Sequence, residues 1–209
     1  MLYIPRKLPC KYIVPFSYIQ HMLAYKGTKL TTQEILYCMN YENNQYNRRW
    51  LNKIIISMID MKILDGSLVE QNKYEFKREK VDLKSKEYYS CEFNELKQIM
   101  QLNEKCNKVD LAGYYAILSS TINYKTKVGN SFISTLCNMT GLNKVTVVKY
   151  NKLLEDNKLI YMVHSSTKGK PNYYGKINDF DRVVKAAYKA GLYIPKETFD
   201  LFIKYKQLY

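Results

Sequence analysis

The sequence predicts a fold of the α+β class that is mainly α-helical and carries small β-hairpins. Three observations predict it. Apolar residues recur through most of the 209-residue chain at i, i+3 and i+4, the spacing of one helix face. Two pairs of short β-prone segments enclose turn residues, as the strands of hairpins do. The second half of the chain can also be laid over the first with a shift of 96 residues, which indicates an internal repeat.

The clearest pattern lies in the second half of the chain. Residues 131–139 carry apolar side chains at 132, 133, 136 and 139, which predicts a helix. Thr140-Gly141 interrupts this helix. Asn143 is suited to cap a second helix, from Lys144 to about Asp156, because its side-chain oxygen can accept hydrogen bonds from the free N–H groups of the first turn.

A hairpin is predicted after the second helix. Residues 159–163 are β-prone, residues 165–172 contain Gly169 and Pro171 and must turn, and residues 173–177 return as a strand. A helix, a tight turn, a second helix and a hairpin, in this order, make up the winged-helix plan.

The first half predicts the same order of elements. Met1 to Pro15 contains three prolines and is expected to be an extended basic arm. Helices are predicted over 16–25, from Thr31 or Thr32 to about 39, and over 47–61, where apolar residues form a wide stripe. Residues 68–70 and 74–77 flank Gln71-Asn72-Lys73 and predict a hairpin.

The repeat keeps one register, without a gap, from the start of each long helix to the first hairpin strand. Asn47 then aligns with Asn143, and Lys53 aligns with Lys149. We therefore interpret the chain as an internal duplication of a winged-helix unit.

This repeat predicts two tandem winged-helix domains plus C-terminal helices. The expected domains are an N-terminal one over 1–84 with the basic arm, a second over 85–178, and a C-terminal helical extension over 179–209. Residues 85–109 are expected to form a linker segment, whose β-prone patch at 88–93 would supply the first strand of the second domain. Asp110 is expected to cap a helix over 111–122, and the extension is expected to contain helices over 179–190 and 198–207.

The charge of the chain predicts a polyanionic partner. The formal net charge is +14 and the pI is about 9.4. A genome rich in A and T is the alternative explanation, because it would enrich Lys, Asn, Ile and Tyr without any function. The distribution favours a function, since residues 111–178 contain nine lysines but only two acids, Glu155 and Asp156, for a local charge of +7.

The remaining composition favours a binding protein over an enzyme. Five cysteines without CxxC spacing, and only two histidines, predict neither a metal site nor a disulfide framework. No nucleotide-binding glycine motif is present, so no cofactor is expected. No apolar run reaches the roughly 20 residues of a membrane span, and a reducing cytoplasm fits the cysteine usage.

The helix wheel selects candidate DNA contacts, because only the first half of a recognition helix normally reaches base edges. With Val147 and Leu154 inward, the opposite side of the second helix carries cations that can bind guanine or phosphate, and a valine that can contact a thymine methyl. The candidates in the second domain are Asn143, Lys144, Val145, Thr146, Lys149 and Lys152, with Lys168 and Lys170 at the hairpin tip. The aligned candidates in the first domain are Asn47, Arg48, Arg49, Asn52 and Lys53. Each of these lysines can also be read as part of an ordinary solvated face.

Residues 140–147 and 154–160 resemble the recognition helix and first wing strand of many bacterial winged-helix DNA-binding proteins. In that family a glycine often precedes the final Leu-Ile pair, whereas this chain has Asn157-Lys158. Tandem units of this kind resemble plasmid and phage replication initiators and replication-control proteins of low-GC Gram-positive bacteria.

The resemblance implies sequence-specific binding of double-stranded DNA in plasmid or phage replication, either in initiation or in its control. It implies a homodimer and other replication proteins as candidate partners, no membrane, and a bacterial cytoplasm or nucleoid. A transcriptional or copy-number regulator is the first alternative. A winged-helix adaptor for protein contacts is the second, and salt dependence would separate it from a DNA-binding protein.

Overall fold

The computed structural model describes residues 2–6, 8–77, 88–198 and 200. Its described part is a mixed α and β fold with small antiparallel sheets, which confirms the predicted α+β class at this level. The chain divides into two compact units, Met1–Ala116 and Ile117–Tyr209. The expected boundary at 84/85 differs from this division.

Among its described residues, the first unit contains a three-stranded sheet, a two-stranded sheet and five helices. The last of these helices continues into the second unit. In chain order, the strands and helices are β1 (Leu2–Pro5), α1 (Cys10–Tyr25), β2 (Lys29–Thr31), α2 (Thr32–Cys38), α3 (Gln45–Asp60), β3 (Gly66–Glu70), β4 (Lys73–Phe76), β5 (Tyr88–Cys91), α4 (Phe93–Met100) and the start of α5 (Lys108–Ser120). The three-stranded sheet has the order β2-β4-β3, and β1 pairs with β5.

Among the described residues, the second unit contains one three-stranded sheet and, after the end of α5, three complete helices. Its elements are β6 (Gly129–Ser131), α6 (Ile133–Thr140), α7 (Lys144–Asp156), β7 (Ile160–Val163), β8 (Asn172–Lys176) and α8 (Phe180–Lys189), with a short 3-10 turn over Ile177–Asp179. The sheet has the order β6-β8-β7, and all its neighbours are antiparallel.

The order of elements is the same twice along the chain. A helix, a strand, two helices and two strands follow one another from α1 to β4 and again from α5 to β8. In each of the two three-stranded sheets, the strand that comes last in the chain lies in the middle, between the other two. The repeat inferred from the sequence is therefore present as a repeat of topology.

The ends of α3 and α7 confirm the 96-residue register. Lys62 and Lys158 both take the left-handed backbone conformation, with φ of 55° and 56°. Leu51 and Val147 are both fully buried, as are Met58 and Leu154. The left-handed residue is thus Lys158, whereas Asn157 keeps a φ of −89°.

The two helices keep this register but begin at different points in it. α3 has 16 residues and is capped by Asn44, while α7 has 13 and is capped by Asn143. Asn47 therefore lies inside α3, so it aligns with Asn143 in sequence but does not share its capping role. The additional residues of α3 lie at its N-terminus, and an alignment of the two halves by a constant shift of 96 residues does not reveal them.

The N-terminal segment differs from the expected extended arm. β1 occupies Leu2–Pro5, and α1 begins at Cys10 instead of residue 16, with Pro15 inside the helix. A proline in a helix interior costs about 3 kcal/mol. The burial of Ile13, Val14 and most of their neighbours on α1 offsets this cost.

The strand predicted at 88–93 has a different partner from the one expected. β5 pairs with β1, so residues 88–91 belong to the first unit, and β6 is the first strand of the second. α4 also contacts α1, where the rings of Phe93 and Tyr18 lie 4.9 Å apart. These contacts place the described part of the expected linker segment, residues 88–109, in the first unit.

The expected C-terminal extension is in part an integral layer of the second unit. α8 packs on β7 and β8 through a cluster of Val163, Val183, Val184, Ala187 and Leu192. It is a short amphipathic helix that covers one face of the sheet, as its apolar spacing predicts. The helix predicted over 198–207 lies largely outside the described residues.

Candidate nucleic-acid interface

The turn between α6 and α7 is built by three local interactions. Gly141 ends α6 in the left-handed conformation, with a φ of 71°, and its N–H donates to the carbonyl of Cys137. Thr140 Oγ1 donates to the carbonyl of Leu136 at 2.7 Å. Asn143 Oδ1 accepts a hydrogen bond from the N–H of Thr146 at 2.9 Å. Asn143 is therefore the cap that the sequence predicts, and its oxygen is already engaged.

α7 has one buried face and one exposed face. Val147, Tyr150, Asn151 and Leu154 are buried. The opposite face consists of exposed residues at helical spacing, namely Lys144, Val145, Val148, Lys149 and Lys152, with Asp156 at its C-terminal end. Thr146 is half-buried at the edge of this face. The exposed residues of α7, which we call the α7 face, include four of the candidates that the sequence predicts.

Val148 is an apolar member of the α7 face that the sequence prediction missed. It is 49% exposed and lies three residues after Val145, which is 79% exposed. Residues at i and i+3 are neighbours on a helix surface. This spacing, applied from Val145 toward Lys152, would have identified Val148.

The electrostatics of the N-terminal part of the α7 face favour an anion, whereas Asp156 places a carboxylate at its C-terminal end. Residues 111–154 contain five lysines and no acid, and the first turn of α7 has no acidic residue. The positive end of the helix dipole is therefore not compensated by a local carboxylate. Glu155, at the far end of α7, accepts from His164 at 2.9 Å.

The loop between β7 and β8 presents one of its two tip lysines to solvent. Lys168 is exposed. The ammonium group of Lys170 is engaged within the protein, because its Nζ donates to the carbonyls of Ala190 at 2.8 Å and Gly191 at 2.7 Å. These carbonyls lie at the C-terminal end of α8, where a cation stabilises the helix dipole. The assignment of Lys170 as a free DNA contact is therefore corrected to an anchor of the hairpin loop on α8.

Lys170→Ala is expected to destabilise the second unit by about 1 kcal/mol, because two carbonyls lose a charge-assisted donor. Lys168→Ala removes the same side chain from an exposed position and should leave the midpoint of urea unfolding unchanged. Equal midpoints for the two variants would contradict the anchoring role of Lys170.

The pair of His164 and Glu155 joins the end of β7 to α7 and makes this contact pH-dependent. The hydrogen bond to Glu155 raises the pKa of His164 above its usual value of 6.5, and burial opposes the shift. Since the folded-state pKa is the higher one, the pair contributes fully below pH 6.5, and its contribution is lost as the pH rises through the raised pKa.

An NMR titration should give a pKa for His164 above 6.5, and Glu155→Gln should bring it back toward that value. His21 is the internal control, because burial in the first place, and then Lys97, lower its pKa. The pKa of His21 should not respond to Glu155→Gln. An unshifted His164 in the parent protein would show that the pair does not form in solution.

The first unit presents fewer of its candidates. Arg49 and Lys53 are exposed on α3, and Arg48 is half-buried. Asn47 Nδ2 donates to the carbonyl of Glu42 at 2.8 Å. The aromatic rings of Trp50 and Tyr41 are stacked, with centroids 5.7 Å apart.

Asn52 is held inside the first unit. Its Oδ1 accepts from Thr32 Oγ1 at 2.6 Å and from the hydroxyl of Tyr74 at 3.0 Å, and its Nδ2 donates to Asn72 Oδ1. These bonds tie α3 to α2, to the hairpin turn and to β4. A base contact would have to break them, so the assignment of Asn52 to DNA contact is corrected to a structural one.

The described part of the chain contains no group of three His, Cys, Asp or Glu side chains arranged to hold a metal ion. None of the helices in the described ranges has the length and apolar character needed to cross a bilayer. In comparisons with known proteins, no family model matches the chain and no curated protein is significantly similar to it.

Proposed function

We propose that this chain is a sequence-specific double-stranded DNA-binding protein built from two winged-helix units. The repeated order of helix, strand, two helices and hairpin, with the last strand in the middle of each sheet, supports this architecture. In such a unit the helix before the hairpin enters the major groove, and the hairpin loop lies against the neighbouring backbone. α7 and α3 are the two helices in that position.

The α7 face is the observation that carries this proposal. Lys144, Lys149 and Lys152 project from it in a stretch of chain without acids. The first turns of this exposed face carry cations and no acid, so they can approach the polyanionic duplex, while the acid of the face, Asp156, lies at its far end, one turn beyond Lys152. The exposed Lys168 adds a phosphate contact from the hairpin loop, and Arg49 and Lys53 are the corresponding cations of α3.

The process we propose is plasmid or phage DNA replication, in its initiation or its control. The resemblance of residues 140–147 and 154–160 to winged-helix proteins, together with the repeat, supports this choice over a protein adaptor. A second copy of the chain and other replication proteins are the proposed partners, within a bacterial cytoplasm. The proposed role is binding, without catalysis.

The test begins with selection of bound duplexes from a random-sequence pool by the full chain. The selected duplex is then used in a mobility-shift assay with unrelated competitor DNA and a salt series. Contacts with six to ten phosphates should reduce the affinity by about 10³–10⁵ between 50 and 200 mM salt. A discrete complex that resists competitor would support specific binding.

Each other outcome contradicts part of the proposal. A smear that competitor abolishes would indicate binding by charge alone, without sequence specificity. The absence of any shift at 50 mM salt would exclude DNA binding and favour the adaptor. A selected site that silences a reporter promoter but does not sustain replication of a plasmid carrying the gene would favour the transcriptional or copy-number regulator.

A further inference from the structure

We infer that α7 recognises thymine methyl groups through Val145 and Val148, so that the duplex facing this helix is rich in A·T pairs. This inference rests on the DNA binding proposed above and adds the chemistry of the bases that α7 recognises. The methyl group of thymine is the apolar group that a base edge presents in the major groove. Two neighbouring valines form an apolar surface of matching chemistry.

Both valines present their side chains to solvent on the exposed side of α7. Val145 is 79% exposed and Val148 is 49% exposed, whereas Val147 and Leu154 on the other face are fully buried. Valine is also a weaker helix former than alanine or lysine, because its branched side chain loses rotamer freedom against the preceding turn. Helix stability alone would favour other residues at both positions.

The lysines around the valines identify the partner. Lys144, Lys149 and Lys152 lie on the same face, within one turn of Val145 or Val148. An apolar protein surface would have to desolvate these cations, whereas a duplex offers a phosphate to each of them. An apolar centre flanked by cations therefore matches a major groove, in which base edges lie between two phosphate backbones.

The dimensions agree with a short block of bases. From Val145 to Lys152 the helix axis rises by about 10 Å, at about 1.5 Å per residue. This length corresponds to roughly three base pairs at about 3.4 Å each. The α7 face can therefore contact thymine methyls on two neighbouring pairs while its lysines contact the flanking phosphates.

The corresponding positions of α3 carry different chemistry. In the 96-residue register, Arg49 occupies the place of Val145 and Asn52 the place of Val148. Arg49 is exposed and is suited to guanine, whose O6 and N7 accept a bidentate pair of hydrogen bonds. Asn52 is engaged inside the first unit. We therefore assign methyl recognition to α7 alone among the two helices.

The experiment compares the selected duplex with the same duplex in which deoxyuridine replaces every thymidine. This change removes the methyl groups and keeps every base-pair hydrogen bond. Loss of each buried methyl should lower the affinity about fourfold, so the parent chain should bind the uracil duplex about fifteenfold more weakly. The variant with Val145→Ala and Val148→Ala should show a much smaller preference for the thymine duplex than the parent chain, since alanine keeps a single methyl group that reaches less of the base edge.

The control is Val69→Ala, which removes the same groups from a valine that is 43% exposed on β3. It should keep the full preference for thymine. All three substitutions are at exposed positions, and the two in α7 replace valine by a better helix former, so folding should be retained.

The outcomes separate this inference from the proposed function. Equal binding of both duplexes by the parent chain would overturn methyl recognition and leave DNA binding intact. A preference for thymine that is undiminished in the valine variant would assign the methyl contact to other residues. Failure to bind either duplex would refute the proposed function itself. Unchanged DNA binding with loss of self-association in the valine variant would show that the pair is a protein contact.

Discussion

Lys149→Glu is expected to abolish sequence-specific binding of duplex DNA, with a loss in affinity of roughly 100-fold or more, or about 3 kcal/mol. The substitution removes one cation from the α7 face and places an anion there. A lost contact to a base or phosphate accounts for about 1–3 kcal/mol, and a like charge against the duplex adds to it. The slope of affinity against salt should also become shallower.

Lys149 is chosen because of its place on α7. It is exposed, and it lies one turn after Val145 and three residues before Lys152. The substitution exchanges a solvated side chain, and local charge pairs on a helix change its stability by only about 0.2–0.5 kcal/mol. The expected loss of binding therefore reflects the interface and not the fold.

The control is Lys185→Glu, which makes the same change in net charge on α8. Lys185 is exposed, and α8 buries Val183, Val184 and Ala187 against the sheet. In mobility shifts on the selected duplex, this variant should bind nearly as well as the parent chain. Equal losses for both variants would indicate a general effect of charge. Unchanged binding by Lys149→Glu would refute the assignment of α7 as the recognition helix.

The sequence was sufficient to predict the parts of the candidate interface that local interactions determine. Asn143 caps α7 because its side chain can bond the N–H only three residues away. The inward positions Val147 and Leu154 follow from helical periodicity, which depends on the chain itself. The hairpin strands also follow from local β-preference and from the turn residues between them.

Contacts between distant residues determine what the sequence could not predict. Asn52 bonds with Thr32 and Asn72, each 20 positions away, and Lys170 bonds with Ala190, also 20 positions away. Asparagine and lysine side chains are of the types that contact DNA. Only the folded chain shows that their polar atoms already form hydrogen bonds within the protein. Residue type thus identifies candidate DNA contacts, and the hydrogen bonds of the folded chain exclude some of them.

Burial also explains the difference in the N-terminal segment. Prolines at 5, 9 and 15 predict an extended arm, since each weakens a helix locally. The cost at Pro15 is local, whereas the gain is the burial of an entire helix face in the first unit. A prediction from local preference alone cannot weigh these two terms.

Tyr174→Ala is expected to destabilise the second unit by about 3–5 kcal/mol. Tyr174 lies on β8, the middle strand, and is fully buried. Its ring packs over Gly129, where an added Cβ would lie 2.6 Å from the ring. Its hydroxyl donates to Ser131 Oγ at 2.9 Å and forms a hydrogen bond with Thr121. The substitution would create a cavity and leave buried polar groups without this partner.

Two further variants identify the source of the loss. Tyr174→Phe keeps the ring and removes the hydroxyl, so it should cost about 1–3 kcal/mol. Tyr188→Ala removes a tyrosine that is 62% exposed on α8 and should change the free energy of unfolding by less than about 0.5 kcal/mol. Urea unfolding followed by far-UV circular dichroism gives all three values.

The expected loss is a large part of the roughly 5–15 kcal/mol that stabilises a typical domain. α7 lies in the same unit and buries Val147, Tyr150 and Leu154 there. Tyr174→Ala should therefore weaken DNA binding although it lies outside the α7 face, and the weakening should grow with temperature as the folded fraction falls. Lys149→Glu should weaken binding at every temperature, because it leaves the folded fraction unchanged. A Tyr174→Ala protein as stable as Tyr188→Ala would show that the ring does not hold the sheet together.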